Sequence, residues 1–346
     1  MTYRTTSDKK ATLISSGYIP LDLITPLNPI GDPFYFAGGT TGNVSSMLSN
    51  LGGWDVFPVA HLRDDKIGDI IYQDLSSWGV NTKFIYKDAL GSSPIIIQHN
   101  EFSDKLGQAC RHKFDIHCPN CGQLLPDFQS ISSKTVSQIL EHLPKPDVFF
   151  FDRVSPAILT LARWASEQGA LIFFEPFEVR KGREDIYVEA IEIAHILKYS
   201  SEQKKFFGDL LLSNRGGLLE VETLGDKGLL FGLRKDVQSQ FEWKKLPIYN
   251  PPQLIDAVGS GDWCSTFLIA GVGRHGFEGF KTLNIQDIEL ALKQGQAAAA
   301  WNCQFLGARG SMYNGKFHTF LTKINNTPHQ TIKELMLEFC PHCQHS

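Results

Sequence analysis

The residue best suited to chemistry is Asp262, which follows Gly259, Ser260 and Gly261 directly before an apolar stretch. Glycines permit a tight turn and close backbone approach, so the amides of residues 259–262 can converge at the start of a helix. The helix dipole adds positive charge there, and phosphate-like anions bind at such points. A carboxylate beside such a site is a candidate general base, which typically contributes about 10²- to 10⁴-fold in rate. The alternative is a glycine turn in which Asp262 only caps the helix.

The composition favours a soluble globular protein that acts on small molecules. The chain has 346 residues, 42% of them hydrophobic, which is enough to bury a large core. Its formal net charge of −4 and the absence of long basic runs argue against a nucleic-acid partner. No apolar run has the length of a signal peptide or a membrane span. We therefore expect a cytoplasmic protein without a membrane partner.

Short apolar runs alternate with helix-like segments through the second half of the chain. The runs lie at residues 147–152, 170–175, 194–198, 218–223 and 228–231. Continuous apolar strands of this length are typical of a parallel sheet covered on both faces, so we predict a doubly wound α/β fold. Ligands collect at the carboxyl ends of such strands, where Glu175, Lys198 and Thr223 lie. We further expect a strand at 56–62 and a last, tightly packed helix at about 286–305.

The segment Asp256-Ala-Val-Gly-Ser-Gly-Asp262 resembles the Asp-Thr-x-Gly-Ala-Gly-Asp signature of the ribokinase-like (phosphofructokinase-B type) carbohydrate kinases. Ala257 replaces the usual threonine and Ser260 the usual alanine. The resemblance extends over nearly the whole chain, because further segments follow in the family's order. It implies a mainly parallel sheet flanked by helices in a single domain spanning 1–346. It also implies ATP-dependent phosphorylation of a hydroxyl, with Asp262 as the base and Gly259, Ser260 and Gly261 in the anion hole.

On the acceptor side, the resemblance assigns substrate contacts to four residues near the N-terminus. Gly17 and Asp22 fit the family's Gly-x-x-x-x-Asp pattern, with the aspartate holding substrate hydroxyls, although Asp22 fits a turn equally well. Gly38, Gly39 and Asn43 resemble the Gly-Gly-x-x-x-Asn segment that contacts the substrate. The substrate implied is a sugar or sugar-like molecule.

On the nucleotide side, the resemblance assigns Thr223, Gly225 and Gly228 to a turn that lines the ATP site, with Asn302 near the adenine. Phosphoryl transfer also requires Mg²⁺. The family's Asn-x-x-Glu motif, which helps to organise magnesium, is replaced here by Ser200 and Gln203. The residues that organise the magnesium therefore stay open.

The segments at about 18–36 and 84–130 are expected to form a small β lid over the sugar site, and such lids sometimes serve as homodimer interfaces in the family. The lid carries an unusual Cys-rich insertion at about 108–126. Its pair Cys118 and Cys121, together with Cys340 and Cys343 in the C-terminal tail 335–346, has the spacing of a structural zinc site. Cys110, His112, His117 or His342 are alternative ligands. A disulfide or two unrelated loops are the other interpretations.

Two alternatives for function stay open. The same scaffold also serves nucleoside kinases, and the sequence does not separate the two substrate classes. A non-catalytic relative that binds a ligand or partner through the cysteine insertion is the second alternative, because Arg63, Ala257 and Ser200 depart from the family pattern. Retention of Asp262 favours an enzyme.

Overall fold

The computed structural model describes residues 9–24, 34–102, 110–177, 182–213, 217–236 and 238–313. The strands are β1 (Ala11–Ser16), β2 (Leu21–Ile24), β3 (Phe34–Ala37), β4 (Trp54–Pro58), β5 (Ala60–Arg63), β6 (Ile85–Asp88), β7 (Ile95–Phe102), β8 (Cys110–Asp115), β9 (Val148–Phe151), β10 (Leu171–Phe174), β11 (Ile196–Ser200), β12 (Leu219–Thr223), β13 (Leu229–Leu233) and β14 (Glu242–Leu246). The helices are α1 (Gly39–Leu51), α2 (Lys66–Ser77), α3 (Ser133–Ile139), α4 (Pro156–Glu167), α5 (Glu184–Ile193), α6 (Lys204–Ser213), α7 (Ser260–Val272), α8 (Gly276–Lys281) and α9 (Ile285–Asn302).

Eight strands form the central sheet, in the order β14-β13-β12-β11-β10-β9-β1-β4. Six neighbouring strands of this sheet pair in parallel, namely β4, β1, β9, β10, β11 and β12. Strands β13 and β14 add two antiparallel strands at one edge. The predicted doubly wound, mainly parallel α/β sheet is thereby confirmed. The apolar runs became strands because a parallel sheet with both faces covered offers its strands no polar side.

Helices cover both faces of this sheet. On one face of the sheet, residues of α1, α2, α7, α8 and α9 form one hydrophobic core with the strands. On the other face, residues of α3, α4 and α5 form a second core. Strand β9 contributes to both cores, since Val148 and Phe150 belong to the first and Phe149 and Phe151 to the second. The strand alternation alone distributes these side chains.

The helix that begins at the glycine turn, α7, packs closely on α9. A Cβ atom at Gly295 would lie 2.8 Å from the Cα atom of Cys264, so the two backbones approach each other as only a glycine allows. Ala297 to Ala300 are buried beside this contact. The tight packing expected of the last helix is confirmed, although α9 ends at Asn302 rather than near residue 305.

A second, four-stranded sheet has the order β3-β2-β7-β8, and its strands come largely from the segments that the sequence assigned to a lid. We call this sheet the lid, and its role in covering a substrate stays a prediction. Strand β6 lies outside it and pairs with β5 in a separate two-stranded sheet. The single strand expected at 56–62 is also wrong, because the chain changes sheets at Val59, between β4 and β5. Among the residues that the structure describes, no helix is long and apolar enough to cross a membrane.

Candidate active site

The loop at 256–262 and the first turn of α7 form a backbone cradle. Gly259 precedes the helix with φ +78°, and a Cβ atom there would lie 2.5 Å from Ala308 Cα, so glycine is required. The Ser260 amide donates to Ala257 O at 3.3 Å. Within the described part of the chain, the amides of Gly261 and Asp262 have no hydrogen-bond acceptor. Two donors at a helix N-terminus therefore face the site, which suits an anion.

Asp262 does not cap the helix, contrary to the alternative considered for the sequence. Gly259 holds the N-cap position without a side-chain hydrogen bond. The half-buried Asp262 carboxylate instead accepts a hydrogen bond at Oδ2 from the Asn43 amide of α1, at 2.8 Å. Burial, followed by the charge of Glu175, raises the pKa of Asp262 to about 7, against the opposing effects of Asn43 and Lys198. A carboxyl group with this pKa accepts a proton effectively near neutral pH.

A buried ion pair lies behind the cradle. Lys198, in the middle of β11, is 2% exposed and forms an ion pair with Glu175, which follows β10. Ser265 of α7 donates its hydroxyl to the same carboxylate. A Cβ atom at Gly261 would lie 3.4 Å from Lys198 Nζ, so the ammonium group lies against the cradle backbone. The position of Glu175 directly after β10 was predicted. Lys198 was expected at a strand end, and this was wrong, because β11 continues to Ser200. The pairing of the two residues and the role of Ser265 were not predicted.

Asp22 lies in β2, and not in a turn. It is 7% exposed, and a Cβ atom at Gly38 would lie 1.8 Å from its Oδ2 atom. The Gly39 amide donates to the carboxylate, and Gly39 itself has φ +68°. Burial raises the pKa of Asp22 to about 7; Arg309 opposes this shift and Asp262 adds to it. Four of the predicted residues, Asp22, Gly38, Gly39 and Asn43, thus lie around the β2 and α1 side of one site that includes Asp262.

Asp152, which directly follows β9, is a site residue that the sequence reasoning missed. It is 2% exposed, and its Oδ1 atom accepts the Tyr18 amide at 2.8 Å. A Cβ atom at Gly17 would lie 1.8 Å from the same oxygen, so Gly17 leaves room for the carboxylate. Burial raises the pKa of Asp152. The sequence signal that could have identified Asp152 is its position directly after a central strand, and Glu175 has the same kind of position.

Arg153 is positioned between two aromatic rings beside Asp152. Its guanidinium lies 4.6 Å from the Tyr18 ring centroid and 4.4 Å from that of Phe177. Its Nη1 atom donates to the Asp152 carbonyl at 3.1 Å and lies 3.6 Å from Oδ2 of that residue. The cation is therefore already neutralised by the protein.

The glycines of the predicted nucleotide turn differ in their surroundings. Thr223 ends β12, and Gly225 has φ +60° with no atom within 4 Å of an added Cβ. Gly228 has φ +91°, and its Cβ would lie 2.0 Å from Leu246 O. Gly225 therefore faces open space that a ligand can share, whereas Gly228 is required by the neighbouring strand β14.

Ser200 and Gln203 bond to each other. The Ser200 amide donates to Gln203 Oε1 at 2.7 Å, and the Gln203 amide donates to Ser200 Oγ at 3.1 Å. This reciprocal pair stabilises the start of α6 in the manner of a capping box. Neither side chain is a carboxylate and the amide oxygen is already used, so this pair does not fit a magnesium-holding role.

Asn302, the last residue of α9, is buried, and both ends of its side-chain amide form hydrogen bonds. Nδ2 donates to Gly307 O at 3.0 Å, and Oδ1 accepts the Ser311 amide at 3.0 Å. These bonds shape the loop 303–313, and a direct contact with a nucleotide stays a prediction. Arg309 in this loop is fully buried, and its Nη2 atom bonds Asp74 at 2.7 Å.

Cys118 and Cys121 lie at the tip of a hairpin in the lid insertion. The Cys118 amide donates to Gln123 O and the Gly122 amide to Cys118 O, both at 2.8 Å, with Gly122 at φ +70°. The amides of Asn120 and Cys121 hydrogen-bond to the Cys118 sulfur. Both thiols are free and reach the surface, so they are not a disulfide.

The other two predicted zinc ligands, Cys340 and Cys343, lie outside the described residues, as does His342. Among the residues described, no group of three or more His, Cys, Asp or Glu side chains is arranged to hold a metal ion. Of the alternative ligands, His117 contacts Asp115 at 3.1 Å, and His112 lies 3.7 Å from Asp256. Cys110 begins β8.

No protein-family model matches the chain. The uncharacterized sugar kinase PH1459 of Pyrococcus horikoshii is 23% identical over 253 residues, which cover 68% of this chain and 73% of that protein. Its crystal structure matches with a TM-score of 0.64 at 19% identity, over 94% of this chain and 100% of that one.

Two ligand-bound structures match over similar lengths. Fructokinase with bound ATP from Xylella fastidiosa gives a TM-score of 0.67 at 16% identity, over 94% of this chain and 98% of that one. Aminoimidazole riboside kinase of Salmonella enterica, complexed with aminoimidazole riboside and an ATP analog, gives 0.64 at 17% identity, over 94% and 99%. The chain therefore has the ribokinase-like fold that its signature segments predicted.

Proposed function

We propose that the protein is an ATP-dependent kinase that phosphorylates a hydroxyl group of a sugar or sugar-like small molecule. The observation that carries this proposal is Asp262: a carboxylate with a pKa of about 7 stands in the first turn of α7, beside two amides without acceptors. A base and an anion cradle within one helical turn are the two parts that transfer of a phosphoryl group to a hydroxyl needs.

In the proposed reaction, Asp262 takes the proton of the acceptor hydroxyl while the oxygen of that hydroxyl forms a bond to the γ-phosphorus. The bond between that phosphorus and the β-γ bridging oxygen breaks, and ADP leaves with the electron pair. The amides of Gly261 and Asp262 donate to the transferred group, and Lys198 places a positive charge behind them. Asn43 orients the base, and Gly259 and Ser260 fix the turn. Positioning and charge stabilisation account for most of the catalysis expected in such transfers.

The nucleotide would lie along the turn of Thr223 and Gly225, with Gly228 supporting that turn and Asn302 shaping the adenine-side loop. The open space at Gly225 supports this placement. Mg²⁺ is proposed as the companion of ATP because it neutralises phosphate charge during transfer. Ser200 and Gln203 are not proposed as its ligands, since they bond to each other.

The acceptor is proposed to be uncharged. Asp22 and Asp152 are carboxylates on the acceptor side, and Glu175 and Asp262 lie near them. The nearby cation Arg153 already contacts Asp152. Carboxylates accept hydrogen bonds from hydroxyls and repel anions, so a neutral polyol fits better than a sugar phosphate or a sugar acid.

The test is phosphate transfer from ATP across a panel of neutral sugars, nucleosides, sugar phosphates and sugar acids. We expect turnover with a neutral sugar and none with the anions, and turnover with nucleosides alone would favour the nucleoside kinase. Asp262→Asn should reduce turnover at least about 100-fold while ATP binding is kept. Asp55→Asn, an exposed acid paired with Lys10, is the matched control. Retention of more than about a tenth of the turnover in Asp262→Asn would defeat the base assignment.

We propose further that Cys118, Cys121, Cys340 and Cys343 bind one structural zinc ion that ties the lid insertion to the C-terminal tail. The hairpin with two accessible free thiols supports the first half of this site. Four thiolates leave no open coordination position, so the metal would act on stability and not on transfer.

Metal analysis of protein purified without chelator tests the site, and we expect about one zinc per chain. Removing the metal, or changing Cys118→Ser with Cys121→Ser, should lower the melting temperature before it lowers activity. Cys264→Ser, a buried cysteine of α7, is the control for loss of a thiol elsewhere. Less than about 0.2 zinc per chain would refute the proposal.

A homodimer through the lid is the proposed assembly, and the cytoplasm, where ATP is supplied, is the proposed location. Tyr35 on β3 is 54% exposed and Phe114 on β8 is 49% exposed, which supports an apolar contact at the two outer lid strands. Analytical ultracentrifugation should give a dimer that Tyr35→Asp with Phe114→Asp converts to a monomer, and a wild-type monomer would refute it.

A further inference from the structure

The lid touches the cradle loop through one buried carboxylate. Asp256, the first residue of that loop, is fully buried. Its Oδ2 atom accepts a hydrogen bond from Gln98 Nε2 of β7 at 2.6 Å and another from the Gly307 amide at 2.8 Å. Its Oδ1 atom accepts the Val258 amide at 3.0 Å. One side chain thus joins the lid, the cradle loop and the loop after α9.

The lid face that carries Gln98 also carries the acceptor-binding residue. In the parallel pairing of β2 with β7, Asp22 lies opposite Ile96 and Ile24 lies opposite Gln98. Residues that pair directly share a face, and residues two apart on one strand share a face. Asp22 and Gln98 therefore project from the same side of the lid. The same strand pair thus carries a residue proposed to bind the acceptor and the residue that bonds to the cradle loop.

Two further contacts hold the first residues of the cradle loop. His112 of β8 lies 3.7 Å from Asp256 Oδ1. Ile255 and Asp256 donate their amides to Cys303 O, and the loop then turns through Gly259 into α7. The amide of Val258, inside the loop, is held by Asp256 itself. The position of the Asp256 carboxylate therefore sets the path of the chain that leads to Gly261 and Asp262.

We propose that Gln98 is a positioning residue that holds the phosphoryl cradle in a fixed position relative to the acceptor side of the lid. The Gln98 amide fixes the Asp256 carboxylate, and this carboxylate fixes the loop that leads to the amides of Gly261 and Asp262. The inference rests on the proposed kinase function. It assigns to the lid a role in transfer in addition to covering the substrate.

The direct test replaces Gln98 by methionine, which has a similar shape and no hydrogen-bond donor. Loss of a hydrogen bond to a carboxylate should lower kcat roughly 10- to 100-fold, with the KM for ATP changed less than about threefold. His99→Gln is the matched control, because His99 lies on the same strand and projects from the opposite face. If Gln98→Met does not fold, Gln98→Asn keeps an amide that is too short to reach.

A double-mutant cycle separates positioning from general damage. If Gln98 acts through Asp256, then Gln98→Met should lower kcat much less in an Asp256→Asn background than in the wild type. An equal fall in both backgrounds, or a folded Gln98→Met enzyme with a kcat within about twofold of the wild type, overturns the proposal.

Hydrogen exchange keeps this test distinct from that of the proposed function. In Gln98→Met, the amides of Val258 and Gly307 should exchange faster than in the wild type, while those of α4 are unchanged. This readout needs no catalysis, so a protein that transfers no phosphate still reports on the coupling. Unchanged exchange at Val258 and Gly307 overturns the proposal.

Discussion

The acid limb of the pH–rate profile is the most direct consequence of the position of Asp262. The base must be ionised to accept a proton, so kcat/KM for the acceptor should fall as pH decreases through the pKa of this group. Burial and the charge of Glu175 raise that pKa to about 7. The loss of activity should therefore begin near neutral pH, and not near the ordinary value for aspartate.

The expected fall in kcat/KM follows from the fraction of Asp262 that is ionised at each pH. With a pKa of about 7, roughly 90% of the base is ionised at about pH 8, about a tenth at pH 6 and about a hundredth at pH 5. We therefore expect kcat/KM to fall about tenfold per pH unit below pH 6. A base with the ordinary value of 3.8 would lose less than about a tenth of its activity at pH 5.

Two variants identify the group that titrates. Asn43 donates to the ionised carboxylate, so Asn43→Ala should raise the pKa of Asp262 and move the acid limb to higher pH by about one to two units. Asp22 also has a pKa of about 7, and its carboxylate and that of Asp262 repel each other. Asp22→Asn should therefore keep the acid limb, move it somewhat to lower pH and weaken acceptor binding. The assay is the initial rate of ADP formation at saturating ATP.

A kcat/KM that is flat from about pH 5 to 8 would refute the assignment of Asp262 as the titrating base. A limb that moves to lower pH in Asn43→Ala would refute the argument that this hydrogen bond favours the ionised form. If the acid limb disappears in Asp22→Asn, the group that titrates is Asp22 and not Asp262.

Three further outcomes are expected. Because the folded state raises the pKa of Asp262 from 3.8 to about 7, this group lowers the free energy of unfolding as pH rises from 3.8 to about 7, by at most roughly 4 kcal/mol in total, with no further loss above that pH. Asp262→Asn should therefore raise the melting temperature at about pH 8 and leave it nearly unchanged at about pH 4. Gly38→Ala places a methyl group 1.8 Å from Asp22 Oδ2, so the KM for the acceptor should rise more than about tenfold with little change for ATP. Gly225→Val should raise the KM for ATP in a folded protein, whereas Gly228→Val should lower the melting temperature, and equal behaviour of the two would refute the distinction between them.

The sequence predicted those parts of the fold in which a short run of neighbouring residues indicates the structure by itself. The strands β9 and β10 are short, continuously apolar and buried, which is why their positions, and the placement of Glu175 directly after β10, followed from the sequence. Thr223 ends β12 as expected, whereas Lys198 lies inside β11, which continues to Ser200. The break at Val59 was not predicted, because β4 and β5 are both apolar and only tertiary pairing assigns them to different sheets.

The contacts inside the site had no such signal. Asp152 and Arg309 are buried polar residues whose partners lie far away in the chain, at Tyr18 and Asp74. A sequence pattern does not show which distant segment compensates a buried charge, although burial without a partner would be unfavourable. The bond of Gln98 to Asp256 belongs to the same class.

The hydrogen bond between Asn43 and Asp262 joins residues that are 219 positions apart. A chain emerging from the ribosome at 5–20 residues per second therefore exposes strand β2 and helix α1, for which we propose acceptor contacts, roughly 10 to 40 seconds before Asp262 is synthesised. During that interval the segments proposed to hold the acceptor lack their proposed base, and contacts of such long range also form slowly. The proposed site therefore assembles only after Asp262 has been synthesised.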